Sequence, residues 1–218
     1  MTVSADSVRE LLSSENFGDR LRAVNQIREL EPKTALELVQ IAISDKNARV
    51  RYSAVSQFDT LGSQDLDLAL DVLRKLLKDP EPDVQAAAAD CLGALKLQAA
   101  FEDIKELYET TPEWLVQFSI LSTLGSLGDP RGFDLLKEAL NSDNGLVQTA
   151  AISSLGELGH EDALNILAPY VSNPDWQIRY RLVQALVNLA DAQTKPLLEQ
   201  LAKDEVEVVA NEAKQALT

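Results

Sequence analysis

VQTAAISSLGEL, residues 147–158, decides the fold, because the chain repeats it. Counting from Val147, apolar residues stand at offsets 0, 4, 5, 8 and 11, the spacing of one buried helix face. Clear sister copies are VRYSAVSQFDTL (50–61), VQAAAADCLGAL (84–95), VQFSILSTLGSL (116–127) and IRYRLVQALVNL (178–189). A degenerate copy, DRLRAVNQIREL (19–30), opens the series and VANEAKQAL (209–217) closes it. The copies start at 19, 50, 84, 116, 147, 178 and 209, at intervals of 31, 34, 32, 31, 31 and 31 residues. Offset 8 shows the register best, holding Ile27, Phe58, Leu92, Leu124, Leu155, Leu186 and Leu217.

A second apolar helix precedes every copy, centred on Val8, Leu38, Leu73, Ile104, Leu136, Leu167 and Leu198. Short turns such as SDKNA (44–48), KDPEPD (78–83), TTPEW (110–114), NSDNG (141–145) and SNPDW (172–176) join the two, with Asp, Asn and Ser able to cap the following helix. One hairpin cannot bury its apolar face alone, whereas stacked hairpins share a continuous core. The pattern predicts an all-α fold, a right-handed α-solenoid of seven hairpins forming one domain over residues 1–218. Asp19, Arg20 and Arg22 in the first copy and Asn211, Glu212 and Lys214 in the last read as polar caps.

With 45% hydrophobic and 5% aromatic residues, the 218-residue chain can bury a sizeable core. No apolar run approaches the ~20 residues of a membrane span, and MTVSADSVRELLSS lacks the basic and apolar regions of an export signal, so a cytoplasmic protein is expected. A single cysteine, Cys91, excludes an internal disulfide framework. The net charge of -15 argues against a nucleic-acid partner, because phosphate neutralisation needs clustered Lys and Arg. A protein or small-molecule partner is favoured.

VQTAAISSLGELG and VQFSILSTLGSLGDPRG resemble the HEAT-like repeat named after phycobilisome lyases, whose pattern runs V-R/Q-x-x-A-A-x-A-L-G-x-L-G-D. Related repeats occur in bilin lyase subunits, in a di-iron hydroxylase of deoxyhypusine and in many scaffolds, so the repeat selects no activity by itself. An acidic chain of this size with seven such repeats most resembles the non-bleaching B family of cyanobacterial phycobilisome-degradation proteins. The resemblance implies a scaffold that binds phycobiliproteins, phycocyanin or allophycocyanin, during phycobilisome disassembly and assists bilin detachment. Transient contact with phycocyanobilin is the one cofactor it implies. Two alternatives stand beside it: a phycobilin lyase or lyase partner subunit, and a general assembly scaffold, for instance in iron-sulfur or metal trafficking.

The only histidine, His160, is followed by Glu161, as in a fragment of a metal site. In the hydroxylase that the repeat resembles, His-Glu pairs occupy offsets 2 and 3 of several repeats, whereas this chain has Tyr52 and Ser53, Ala86 and Ala87, Phe118 and Ser119, Thr149 and Ala150, and Tyr180 and Arg181 there. One pair cannot supply the converging ligands of a two-metal centre, so no metal site is expected. His160 lies at offset 13, beside Ser63, Asp129 and Asp191 of other repeats, and reads as a turn residue. Gly62, Gly128 and Gly159 at offset 12 are suited to left-handed helix ends. Cys91, among alanines, reads as a buried small hydrophobe. No catalytic residue is assigned, as there is no nucleophile elbow and no phosphate-binding GxxxxGK[ST] loop.

Aromatic residues form the candidate site. At about 100° per residue, offsets 2, 3, 6 and 10 oppose the apolar stripe and should line the inner surface. Offset 2 carries Tyr52, Phe118 and Tyr180; two residues before the start stand Phe17, Trp114 and Trp176. The rings either fill gaps between hairpins or anchor a partner. Arg51, Arg179 and Arg181 lie close by and could meet carboxylates bidentately, although Arg51 and Arg179 share offset 1, where a ladder to a neighbouring hairpin's Asp is an equal reading.

Overall fold

Helix starts recur at one register. In the computed structural model, which describes residues 3–189 and 191–218, the motif-bearing helices are α2 (Phe17–Ile27), α4 (Ala48–Val55), α7 (Pro82–Ala94), α9 (Trp114–Leu127), α11 (Gly145–Leu158), α13 (Trp176–Leu189) and α15 (Glu207–Ala216), and each begins two residues before its register start. The partner helices are α1 (Ala5–Leu12), α3 (Pro32–Ala42), α6 (Leu66–Leu76), α8 (Phe101–Thr110), α10 (Phe133–Ala139), α12 (Ala163–Leu167) and α14 (Lys195–Leu201). In the second repeat a break at Ser56 and Gln57 sets off a further turn, α5 (Phe58–Leu61). The described residues contain no strand. Local chemistry fixes these starts: Asn16, Asn47 and Asn144 cap α2, α4 and α11 by accepting a backbone N–H two residues on, and Pro82 opens α7.

The chain folds as two compact units, Met1–Val116 and Gln117–Thr218. In the first, α2, α4 and α7 stack in succession; in the second, α11, α13 and α15 do so. The centres of the partner helices, from Val8 to Leu198, are all buried, as are Ile27, Phe58, Leu92, Leu124, Leu155 and Leu186 at offset 8. Leu217 departs from that pattern and is exposed, because α15 ends at Ala216.

Every turn is tied by one side-chain oxygen. Five residues before each register start stand Ser14, Asp45, Asp79, Thr111, Ser142, Asn173 and Asp204, and each accepts the backbone N–H two residues on, at 2.8–3.2 Å. Where that residue is Asp, the preceding repeat supplies an Arg at offset 1. Arg20 forks onto Asp45, Arg51 onto Asp79 and Arg179 onto Asp204, through Nε and Nη2. The remaining Nη1 donates to carbonyls of the Arg's own turn, at Ser14, Asp45 and Asn173, so one guanidinium ties two successive turns. Where the next turn bears neutral Thr111, Ser142 or Asn173, offset 1 holds Gln85, Gln117 or Gln148 instead.

Close approach is set by small residues at offset 9. A Cβ on Gly156 would lie 2.5 Å from the Ala185 Cα and 2.7 Å from its carbonyl oxygen, and one on Gly125 would lie 2.9 Å from the Ser154 Cα. At offset 12, Gly128 and Gly159 adopt the left-handed conformation with φ of 65° and 67°. Gly62 does not: its φ is -64°, because the chain continues directly into a 3₁₀ turn, and its lack of a side chain instead leaves room for Leu95 and Ala69. In the third repeat Lys96 takes the left-handed position with φ of 52°.

Gly156→Ala is expected to cost about 3 kcal/mol, since the clash is with backbone and cannot relax by a rotamer change; chemical denaturation checks it. Lys96→Gly should raise stability by about 1 kcal/mol by removing left-handed strain from a side-chain-bearing residue. Arg179→Met, which leaves the withdrawn Asp204 carboxylate unpaired, should cost about 3 kcal/mol, whereas Arg179→Gln combined with Asp204→Asn, which copies the residues Gln148 and Asn173 at the same two positions one repeat earlier, should recover most of that loss. The Arg179 guanidinium, with the Val206 N–H, holds Asp204 below the usual carboxylate range. Its contribution is therefore complete above the unfolded-state pKa of about 4 and is lost as pH falls through that range and below. Thermal unfolding should show a shallower acid decline for Asp204→Asn than for the parent.

Candidate functional site

The first residue of each motif-bearing helix lies outside the apolar stripe. Phe17, Trp114 and Trp176 hold this position, and all three are exposed. Tyr52, within α4, is exposed as well, while Phe118 and Tyr180 are half-buried. The tryptophans therefore do not fill gaps between hairpins.

Two of the arginines drop out of the candidate surface. Arg51 and Arg179 have side chains only 13% and 8% exposed and are committed to Asp79 and Asp204, so they bind turns rather than a partner. Nε and Nη2 are forked onto that carboxylate and Nη1 donates to a turn carbonyl, so each guanidinium is held within the turns. Arg181 is exposed, and its Nη1 donates to Gln184 Oε1 at 2.8 Å.

In the second unit a cleft of about 480 Å³ brings Trp176, Tyr180 and Arg181 together with Gly145, Leu146 and Val208. Its walls are the first turns of α11, α13 and α15. A Cβ on Gly145 would meet nothing within 4 Å, so the start of α11 leaves open the space that Trp176 fills at the start of α13. The polar groups of the rim are largely spent on local bonds. Asn144 Oδ1 accepts the Leu146 N–H, Asp175 Oδ1 accepts the Gln177 N–H, and the Thr149 hydroxyl donates to the Leu146 carbonyl. The remaining inventory is an indole, two aliphatic groups, a phenol, the Gln177 amide and one guanidinium, a set that adsorbs an apolar surface and orients a few polar groups.

Leu146 and Val208 were not singled out by the sequence pattern. Their signal is an apolar residue at offset -1, shared with Leu115, where the remaining repeats carry Gly18, Arg49, Asp83 and Gln177. Phe118 belongs to the same unit but not to the cleft lining.

His160 sits in the turn between α11 and α12. Its Nδ1 accepts the Asp162 N–H at 3.2 Å, and its ring stacks on Phe133 with centroids 3.9 Å apart. No group of three or more His, Cys, Asp or Glu placed to hold a metal occurs among the described residues. Cys91 is buried, its Sγ donates to the Val55 carbonyl at 3.2 Å, and burial pushes the thiol up to about 12. It is a protonated structural group at neutral pH. No helix among the described residues is long and apolar enough to cross a membrane.

No curated protein matches the chain. Among solved structures, it is similar to YibA of Escherichia coli, with a TM-score of 0.70 and 17% identity over 98% of this chain and 80% of that one. It is also similar to the complex of CpcE and CpcF of phycocyanin lyase from Nostoc sp. PCC7120, with a TM-score of 0.66 and 19% identity over 100% and 88%. The archaeal HEAT-like repeats protein from Thermococcus onnurineus NA1 follows the same fold, with a TM-score of 0.58 and 18% identity over 99% and 96%. At these identities the likeness is one of fold. The family description "HEAT repeats" matches residues 70–155 and 133–218, well over half of the sequence, and the chain belongs to the HEAT-repeat family.

Proposed function

We propose that this HEAT-repeat chain is a protein-binding scaffold that engages phycobiliproteins and assists phycobilisome disassembly or bilin detachment. The observation that carries the binding role is the exposed apolar cleft of the second unit, where three successive helix starts offer Leu146, Trp176 and Val208 to solvent. Large apolar side chains grouped around one opening, with polar neighbours bonded to their own turns, are the makings of an interface core with a polar rim. The choice of phycobiliproteins is supported by the motif's resemblance to the phycobilisome-lyase type of repeat and by the fold likeness to the phycocyanin lyase complex. With Cys91 withdrawn and protonated, any bilin contact in this reading is non-covalent.

The same fold likeness favours a second reading, a lyase partner subunit that acts on bilin attachment. Spectra separate the two. A scaffold leaves the absorbance of a bilin-bearing phycobiliprotein unchanged on mixing, while a lyase partner alters it or accelerates a change with time.

The purified chain should retain phycocyanin or allophycocyanin in a pull-down. Trp176→Ala with Leu146→Ser should weaken retention by at least about tenfold, the scale of one to two interface anchors, with the melting temperature nearly unchanged because both residues are exposed. Absence of binding to intact, partly disassembled and isolated bilin-bearing subunits alike would overturn the assignment to phycobiliproteins.

A further inference from the structure

Leu146, Trp176 and Val208 are 52%, 42% and 46% exposed, yet they line one cleft. Each comes from a different hairpin: Leu146 is the second residue of α11, Trp176 the first of α13 and Val208 the second of α15. The cleft thus presents one apolar anchor per repeat. Stacked helices lie about 8–10 Å apart, and α11 and α13 approach closely enough that Gly156 has no room for a Cβ against Ala185. The anchors therefore recur at roughly that interval.

A partner segment has to match this interval on a single face. An extended strand advances about 3.3 Å per residue, so the residue about 10 Å along is i+3, which points to the opposite face. An α-helix places i and i+7 on the same face about 10.5 Å apart, with i+3 or i+4 between them. A helix matches and a strand does not.

Charge selects the edges of that helix. Asp175 and Arg181 line the cleft, and exposed Asp143 and Glu207 stand next to its lining residues Asn144 and Val208, so three carboxylates face one cation at this rim. An incoming helix with Lys or Arg beside its apolar stripe meets an attractive rim, and one flanked by carboxylates is repelled. A second copy of this chain, itself at -15, is disfavoured on the same ground.

We infer that the cleft is a docking groove for an amphipathic α-helix of a partner protein, with apolar residues at i, i+7 and i+14 seated against Leu146, Trp176 and Val208, and basic residues along its flanks. The inference rests on the scaffold reading but not on the partner's being a phycobiliprotein.

The full chain carrying Trp114→Phe keeps Trp176 as its only tryptophan, which makes indole emission a reporter of the cleft. The probe is a synthetic 18-residue helical peptide with a Leu stripe and Lys flanks, compared with a scrambled peptide of the same composition and with a Glu-flanked version. The Lys-flanked helix should shift the emission to the blue saturably. Its Kd should rise at least tenfold on Leu146→Ser with Val208→Ser and severalfold on Asp143→Asn with Glu207→Gln or in high salt. Equal binding by the scrambled or Glu-flanked peptide, no binding at all, or an undiminished affinity in the double-serine variant would overturn the groove. So would sedimentation as a dimer in which Trp176 is shielded. Peptide binding without phycobiliprotein binding leaves the groove standing and sinks the phycobiliprotein assignment; phycobiliprotein binding untouched by the double-serine variant does the reverse.

Discussion

An oxygen-bearing side chain at the head of every turn is what allows one hairpin to follow another. At that point the partner helix has ended, the motif-bearing helix has not begun, and backbone N–H groups lack helical partners. Ser14, Asp45, Asp79, Thr111, Ser142, Asn173 and Asp204 supply the acceptor, and the identity of that residue propagates along the stack. A hydroxyl or amide is satisfied by the turn itself. A carboxylate is left with charge to neutralise in a place that water barely reaches, since Asp45, Asp79 and Asp204 have side chains under 10% exposed. Each of those turns is met by an Arg one repeat earlier, whereas ahead of Thr111, Ser142 and Asn173 the same position holds Gln, and Gln85 and Gln148 donate to the Asp79 and Leu140 carbonyls of their own repeats. The ion pair is thus not an extra source of stability over the neutral arrangement, because the gain from pairing offsets a desolvation cost that the Asp itself introduced. It is a matched condition, which is why losing one partner alone is damaging.

Much of this was legible in the residues. The period near 31 specified the hairpins, and offset 8 and the partner-helix centres specified the core, because burial in a repeat protein is decided by the same few positions each time. The roles of Arg51 and Arg179 were left open because their partners lie 28 and 25 residues away, outside any helical period. Writing offset 1 beside the next repeat's offset -5 settles the matter from the letters alone. The conformation of Gly62 was not readable in that way. Its neighbours at offset 12 reverse the chain into left-handed space, but it enters a 3₁₀ turn, and that choice depends on how α6 packs rather than on the glycine.

The candidate cleft was half visible. Trp176, Tyr180 and Arg181 stood out as chemistry that a plain repeat does not require. Leu146 and Val208 did not, since an aliphatic residue next to an apolar stripe reads as part of it. Their exposure follows from position: the second residue of a helix precedes the first turn that faces the neighbouring hairpin, so its side chain is released to solvent.

Position also explains why exposed apolar side chains gather at helix starts in the second unit. The register five residues before each start holds an acceptor in every repeat, offset 8 is apolar, and offset 9 is glycine where Gly125 and Gly156 meet the backbone of the next motif-bearing helix, so those sites cannot vary freely. The first helical residue bears on none of these constraints, and across the repeats it is Phe17, Ala48, Pro82, Trp114, Gly145, Trp176 and Glu207. An unbroken run of large rings there would build a ridge. What makes a concavity is the alternation of Gly145, which leaves its space empty, with Trp176, which walls that space on one side, while Leu146 and Val208 close it from the adjoining positions. The cleft is therefore a product of size differences between equivalent positions, so replacing Gly145 with a large side chain would abolish it while leaving every hydrogen bond and core contact of the scaffold in place.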